Sequence, residues 1–270
     1  EAGFLGIMLF GWEKVGPRLH FVASCLVAFG TLLSAFWILS ANSWMHTPQG
    51  AVMQGGRFVA QSWIEIVFNP SFPYRLSHMT VASYLTTSFV IAGVSAFFLI
   101  RGEHKPLAAK AYSIAMWAAL VLAPLQIFLG DMHGLNVLKY EPIKIAAMEG
   151  NWHRQSGAPL LLFAVPDAKA EDNHLEFGIP RLSSLILTHH LDGEIPGLTD
   201  VPKEDRPPVG PRLWGFCVMV GCGIIFLTLA LWGVYARCRG LLAKDRWLHR
   251  ASLAATPLGF VATLAGWYVA

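Results

Sequence analysis

The chain has 270 residues, of which 54% are hydrophobic and only 14% charged, against roughly 45–50% and about 25% in a typical soluble domain. Ten Trp and 17 Phe add a heavy aromatic load. A formal net charge of +3 supplies no basic surface of the kind nucleic acid requires, and the apolar content excludes a disordered chain and argues against a soluble enzyme. The four Cys (Cys25, Cys217, Cys222, Cys238) show neither a CxxC nor a His/Cys metal spacing and read as small buried hydrophobes.

A bilayer span needs about 20 mostly apolar residues. The chain opens with residues 2–10, apolar but only about half a span. Full spans follow at 19–41, 76–100, 111–130, 212–236 and 248–270. There is no initiator Met and no signal peptide, and the last span runs to the final residue, so the sequence reads as an internal fragment of a larger membrane protein. The connections 11–18, 101–110 and 237–250 hold ten Lys/Arg and three Asp/Glu. The connection 42–75 holds two Arg and one Glu, and the long loop 131–211 holds seven Lys/Arg and twelve Asp/Glu. Short basic connections mark the cytoplasmic side, so the loop 131–211 is expected outside. Trp63, Ile64, Val67 and Phe68 fall at helical spacing and predict a short interfacial helix over 61–68, broken by Asn69-Pro70-Ser71-Phe72-Pro73. In the long loop, Pro142 suits a first helical turn and predicts a helix over 143–152. Segments 167–172 and 192–211 read as polar and mobile.

Ligand-type side chains inside a span are functional candidates. His78 lies three residues into its span and Met219 about two turns into another, both entered from the outer side, so the two share a depth. An imidazole and a thioether from different helices can close the axial positions of a low-spin haem iron. The bland readings stand beside this: Met219 as a packing residue and His78 as an interfacial hydrogen-bonder. His20 reads as interfacial, while His46, His133, His153, His174, His189 and His190 read as solvated. Asp131 reads as a helix-end residue and Glu1 as a membrane carboxylate or a meaningless cut end. Lys144 and Glu149 are five apart, outside the spacings that pair on a helix, and read as a solvated charged face.

Glu1-Ala2-Gly3-Phe4-Leu5-Gly6, Phe10-Gly11-Trp12 and the run Ser34-Ala35-Phe36-Trp37-Ile38-Leu39-Ser40-Ala41-Asn42-Ser43-Trp44-Met45 resemble subunit I of the cytochrome bd quinol oxidases, nearest its cyanide-insensitive, short-loop branch. Asn69-Pro70, the His78 context, Leu129-Gly130-Asp131, Lys144-Ile145-Ala146-Ala147-Met148-Glu149, Met219-Val220-Gly221 and Ala265-Gly266-Trp267 continue the match in order. The resemblance implies that His78 and Met219 are the axial ligands of the low-spin haem b558. It implies that Lys144 and Glu149 serve quinol oxidation, that Glu1 lies on a proton route, and that Trp267 belongs to the segment binding a high-spin haem. It implies haem b595 and haem d in the complete protein, reducing O₂ to water with quinol as donor. The implied partner is subunit II in a heterodimer, with room for a small single-span subunit, in the bacterial inner membrane.

Two departures matter. The family usually carries an Arg two residues before the axial Met, where this chain has Cys217. The segments expected to bring the high-spin haem ligands, a His upstream and a Glu after Ala270, lie outside the sequence. The expected fold is all-α: a polytopic transmembrane helix bundle of five full spans and one partial, with an extracytoplasmic quinol-binding loop at 131–211. The rival functions are a quinol-binding haem b electron-transfer protein without O₂ reduction, and a transporter in which His78 and Met219 merely pack.

Overall fold

The computed structural model describes residues 2–270. The elements run α1 (Ala2–Phe10), α2 (Pro17–His46), β1 (Ala51–Gln54), β2 (Arg57–Ala60), α3 (Trp63–Val67), α4 (Phe72–Arg101), α5 (Lys105–Tyr140), α6 (Pro142–Glu149), β3 (Gln155–Ser156), β4 (Leu160–Asp167), β5 (Asp172–Ile179), α7 (Leu182–Thr188), β6 (Glu194–Ile195), α8 (Val209–Cys238), α9 (Arg246–Ala255) and α10 (Leu258–Val269). Among the described residues, five helical segments are long and apolar enough to cross a membrane: Pro17–His46, Phe72–Arg101, Lys105–Tyr140, Lys203–Cys238 and Arg246–Val269. The chain divides into two compact units, residues 1–76 and 77–270.

In the first unit, Pro17 stands at the start of α2, where its missing N–H costs nothing. His20 Nε2 lies 2.9 Å from the Met8 carbonyl and ties α2 to α1. At the other end of α2, Asn69 is fully buried. Its Nδ2 donates to Ser43 Oγ and the Ile66 carbonyl, and its Oδ1 accepts from Thr47. Arg75 Nη1 donates to Asn42 Oδ1 at 2.9 Å. The Asn69-Pro70 break therefore closes a polar knot. The sequence reading finds α3 here but misses the β1–β2 hairpin, whose turn residues Gly55 and Gly56 both take positive φ as a tight two-residue hairpin requires.

In the second unit α4, α5 and α8 pack around Leu85, Phe89, Tyr112, Met116, Phe226 and Leu229, padded by alanines. Phe89 stacks on Phe226 with ring centroids 4.1 Å apart. The chain goes down α4 and returns up α5. Consistent with that, Arg237 near the end of α8 donates to the Ser113 carbonyl near the start of α5 at 3.0 Å. Small residues let the backbones approach. A Cβ on Gly259 would lie 2.5 Å from Thr86 Oγ1, and one on Gly233 would lie 2.4 Å from Met116 Cε.

Three expectations are corrected. Helix α5 continues ten residues past Gly130, so Asp131 and His133 are helical, not loop residues. The last span is interrupted at Thr256-Pro257, between α9 and α10. The long loop is not merely helix and mobile chain: β4 and β5 form an antiparallel hairpin through residues 167–172, and β3 pairs with β6. The polytopic helical bundle stands as expected, with short hairpins added in its connections at 51–60 and in the long loop.

Candidate functional site

Two places in the second unit gather chemistry. The first surrounds His78 on α4. Its Nε2 lies 2.9 Å from Gln126 Nε2 on α5. An amide nitrogen only donates, so His78 Nε2 accepts and the ring proton sits on Nδ1. Nδ1 is buried from water and faces the Leu129 carbonyl. In a metal-ligating histidine the second ring nitrogen is usually held by a carbonyl or carboxylate; here the Leu129 carbonyl lies near Nδ1 but makes no hydrogen bond of good geometry to it. Gly130 leaves the ring its space: a Cβ there would stand 3.3 Å from His78 Cε1. His133 lies one turn along, its ring 5.6 Å from that of His78. It is partly buried beside the site rather than solvated.

Met219 on α8 leans on α10, where a Cβ on Gly266 would come within 3.2 Å of the sulfur. The Phe89–Phe226 stack ties α4 to α8 and marks a common level. Counting back at 1.5 Å per residue, His78 lies about 16 Å and Met219 about 10 Å from that level, both toward the loop end. Both side chains therefore lie on the loop side of that stack, their levels about 6 Å apart. Imidazole with thioether is the donor pair of a low-spin haem; His78 Nε2 is the ring nitrogen that would bind iron, and the Gln126 amide that bonds it here would have to turn away for the group to bind.

The second place is in the loop. Helix α6 ends at Gly150, which takes the left-handed φ of +66° that favours glycine there. Glu149 precedes it and is 7% exposed, and Lys144 is 8% exposed. Neither belongs to a solvated face, because α6 lies beneath the hairpin and against α8 rather than on the surface. Lys144 and Glu149 do not meet. Lys144 Nζ donates to the Ala270 carbonyl at 2.8 Å and pairs with Glu141 at 3.6 Å. Glu149 instead lines a cavity of about 210 Å³ with Asn151, His153, Gln155, Asp172, Glu176 and Ser183. Burial pushes its carboxyl up to about 7, held back by the facing Ser183 hydroxyl. Its Oε2 is buried with no hydrogen-bond partner.

One lining side chain ties the hairpin to α6. Asn173 on β5 accepts from Trp152 Nε1 and donates to the Gly150 carbonyl and to Glu176, each at 2.8 Å. Cys217, in place of the family's usual arginine, donates its thiol to the Leu161 carbonyl at 3.4 Å and so ties α8 to β4. Trp267 is 67% exposed, on the outside of α10. Glu1 lies outside the described residues. Sequence reasoning misses Gln126, Ser183 and Asn173; a lone amide inside an otherwise apolar span was the available signal for Gln126.

A family model described as cytochrome bd terminal oxidase subunit I matches residues 1–270. Cytochrome bd-II ubiquinol oxidase subunit 1 of Escherichia coli (strain K12) is 30% identical over 339 aligned positions, covering 100% of this chain and 66% of its own length. Cytochrome bd ubiquinol oxidase subunit 1 of Bacillus subtilis (strain 168) is 32% identical, covering 99% of this chain and 59% of its own. The solved bd oxidase from Geobacillus thermodenitrificans superposes with a TM-score of 0.87 at 31% identity, over 99% of this chain and 62% of that one. The chain thus spans between 59% and 66% of the length of these relatives. Matched along its whole length and carrying five membrane-crossing helices, it is a polytopic membrane protein that belongs to the cytochrome bd terminal oxidase subunit I family.

Proposed function

We propose that this chain is the quinol-oxidising, haem-bearing part of a terminal oxidase subunit I. Quinol is oxidised in the loop 131–211 on the extracytoplasmic side of a bacterial plasma membrane, and O₂ is reduced to water by the complete protein. The side of the loop is supported by the Lys/Arg-rich connections at the opposite ends of the spans. The observation that carries the reading is Glu149: a buried carboxyl with an unpartnered oxygen in the wall of a partly open cavity.

The cavity is smaller than the roughly 300–1,000 Å³ that encloses whole drug-sized ligands, which suits a single ring with its tail left outside. Three carboxyls (Glu149, Asp172, Glu176) and no Lys or Arg line it, which favours a neutral ligand bearing hydroxyl donors over an anion. A carboxyl that titrates near 7 accepts a proton at neutral pH and returns it readily. Glu149 is therefore the base that takes the proton from a quinol hydroxyl, and Ser183 and the Asn151 amide orient the ring. Lys144 acts from outside the lining by fixing α6 through Glu141 and the Ala270 carbonyl. His78 and Met219 would hold haem b558, with the Gln126 amide setting the imidazole tautomer before the group binds. Haem bound there supplies the one-electron couple that quinol oxidation requires. Haem b595 and haem d, the segment ending in Trp267, the proton route through Glu1, subunit II and a small single-span subunit belong to the complete assembly on the family resemblance.

The test is Glu149→Gln in the full-length protein with its partner subunit. Quinol oxidation should fall by an order of magnitude or more, with the reduced-minus-oxidised haem spectrum unchanged. Parental turnover in this variant would refute the assignment.

A further inference from the structure

The β4–β5 hairpin turns one face to the protein and another away from it. Leu161 and Ala164 are buried in a cluster with Ala146, Trp152, Val209 and Leu213. On the other face Leu162, Phe163, Leu175, Phe177 and Ile179 are exposed, Phe177 by 68% and Leu175 by 78%. Phe163 and Phe177 are direct cross-strand partners, so their rings form one patch. Leu175 takes a positive φ of 52°, a conformation a side chain of this kind adopts only at a cost, and with it the side chain stays outside. Five bulky apolar side chains on so small an element would be a liability in water.

The position of the hairpin along α8 says what covers it. Trp214 Nε1 donates to the Ala164 carbonyl at 2.8 Å, and Cys217 donates to the Leu161 carbonyl. Strand β4 therefore lies beside residues 213–217, about 6–12 Å into α8 from its first residue. The 30 residues of α8 measure about 45 Å, the thickness of a bilayer with its headgroups, of which roughly 5–8 Å on each side is interface. The base of the hairpin falls at the boundary of headgroups and acyl chains. Polarity is graded along it to match. The base pairs Leu160–Ile179, Leu161–Gly178 and Phe163–Phe177 carry no charge, while the far end holds Asp167, Lys169, Glu171, Asp172 and His174; Glu176 between them lies on the cavity side, where it accepts from Asn173. The half-exposed Trp214 beside the base is the residue type that gathers at membrane interfaces.

We propose that the apolar face of the β4–β5 hairpin is seated in lipid, at the interface at the loop end of α8, with its charged tip in water. This stands apart from the reading of the cavity, since it concerns the opposite face and needs no turnover to test. The full-length protein with its partner subunit is placed in lipid nanodiscs. A nitroxide is attached at Phe177→Cys, and separately at Phe163→Cys, with the two exposed native thiols removed (Cys25→Ser, Cys238→Ser). Collision with dissolved oxygen, which partitions into lipid, is compared with collision with a water-soluble nickel chelate. The expected result is oxygen-dominated relaxation at 177 and 163, and nickel-dominated relaxation at a tip label, Ala170→Cys. Nickel-dominated relaxation at 177 and 163 would mean water, and suppression of both relaxers would mean a protein cover. Either overturns the proposal.

Discussion

His78 and Glu149 are both buried polar side chains whose environment decides what they do. His78 Nε2 is held unprotonated by the Gln126 amide, which donates to it at 2.9 Å and would have to give way to a metal at that nitrogen. Met219→Leu keeps the volume of the partner side chain but removes its sulfur. Haem content should therefore persist while the low-spin signature is lost from the reduced-minus-oxidised spectrum; an unaltered spectrum would remove Met219 from the ligand pair. Glu149 makes a pH-dependent claim. Its carboxyl is raised by burial to about 7, so a base at this position is half ready near neutrality. Quinol oxidation should rise with pH through about 7, and Glu149→Gln should abolish that limb. Stability has the opposite sign. The native state favours the protonated form, so there is no cost below the ordinary carboxyl range and a growing one as pH climbs toward and past 7. At about 1.4 kcal/mol per unit the full cost is of order 3 kcal/mol. The melting temperature of Glu149→Gln should exceed the parent's above pH 7 and converge with it near pH 4, as thermal unfolding followed across pH would show.

At the scale of elements, the hairpin depends on Asn173, which joins β5 to the end of α6 and to Trp152. Asn173→Ala leaves the Trp152 N–H and the Gly150 carbonyl without these partners, a loss of roughly 1–3 kcal/mol. Amide exchange in residues 160–179 should quicken, and the KM for quinol should rise more than kcat falls. Exchange confined to the parental rate would show that the hairpin is held elsewhere. None of this was legible in the sequence. Residues 160–165 read Leu-Leu-Leu-Phe-Ala-Val without alternation, because both faces of β4 carry apolar side chains, and that pattern does not separate strand from helix. The bonds from Asn173 to Trp152 and Gly150 cross 21 and 23 positions. Helix α5 outran its expected end because Asp131-Met132-His133-Gly134 resembles a loop locally; buried Asn136 and Val137 hold the continuation. His78 and Met219 stood out in the sequence by residue type at a given depth, and Glu149 only by a family motif, since its spacing from Lys144 reads as a solvated face.

For the whole molecule, hydropathy located every span but not the faces that meet. In lipid the outside of a helix is as apolar as its buried side, so small residues, not hydrophobic ones, mark the contact. Gly215 faces Ala265, Gly233 faces Met116, Gly93 faces Thr256 and Gly259 faces Thr86. The seam involving α10 matters for the site, because α10 also carries Gly266, against which Met219 rests. Gly259→Val puts a branched side chain where even a Cβ would approach Thr86 Oγ1 to 2.5 Å. Overpacking of this kind typically costs 1–3 kcal/mol, and relief by movement of α10 would carry Gly266 away from the sulfur. Gly259→Val should therefore lower the denaturant midpoint and also broaden or shift the low-spin haem band. Gly221, on α8 itself, has nothing within 4 Å of a Cβ; Gly221→Ala should leave both readouts within about 0.5 kcal/mol and within the parental band shape. Equal effects from the two substitutions would mean that the α4–α10 contact does not set the position of Met219.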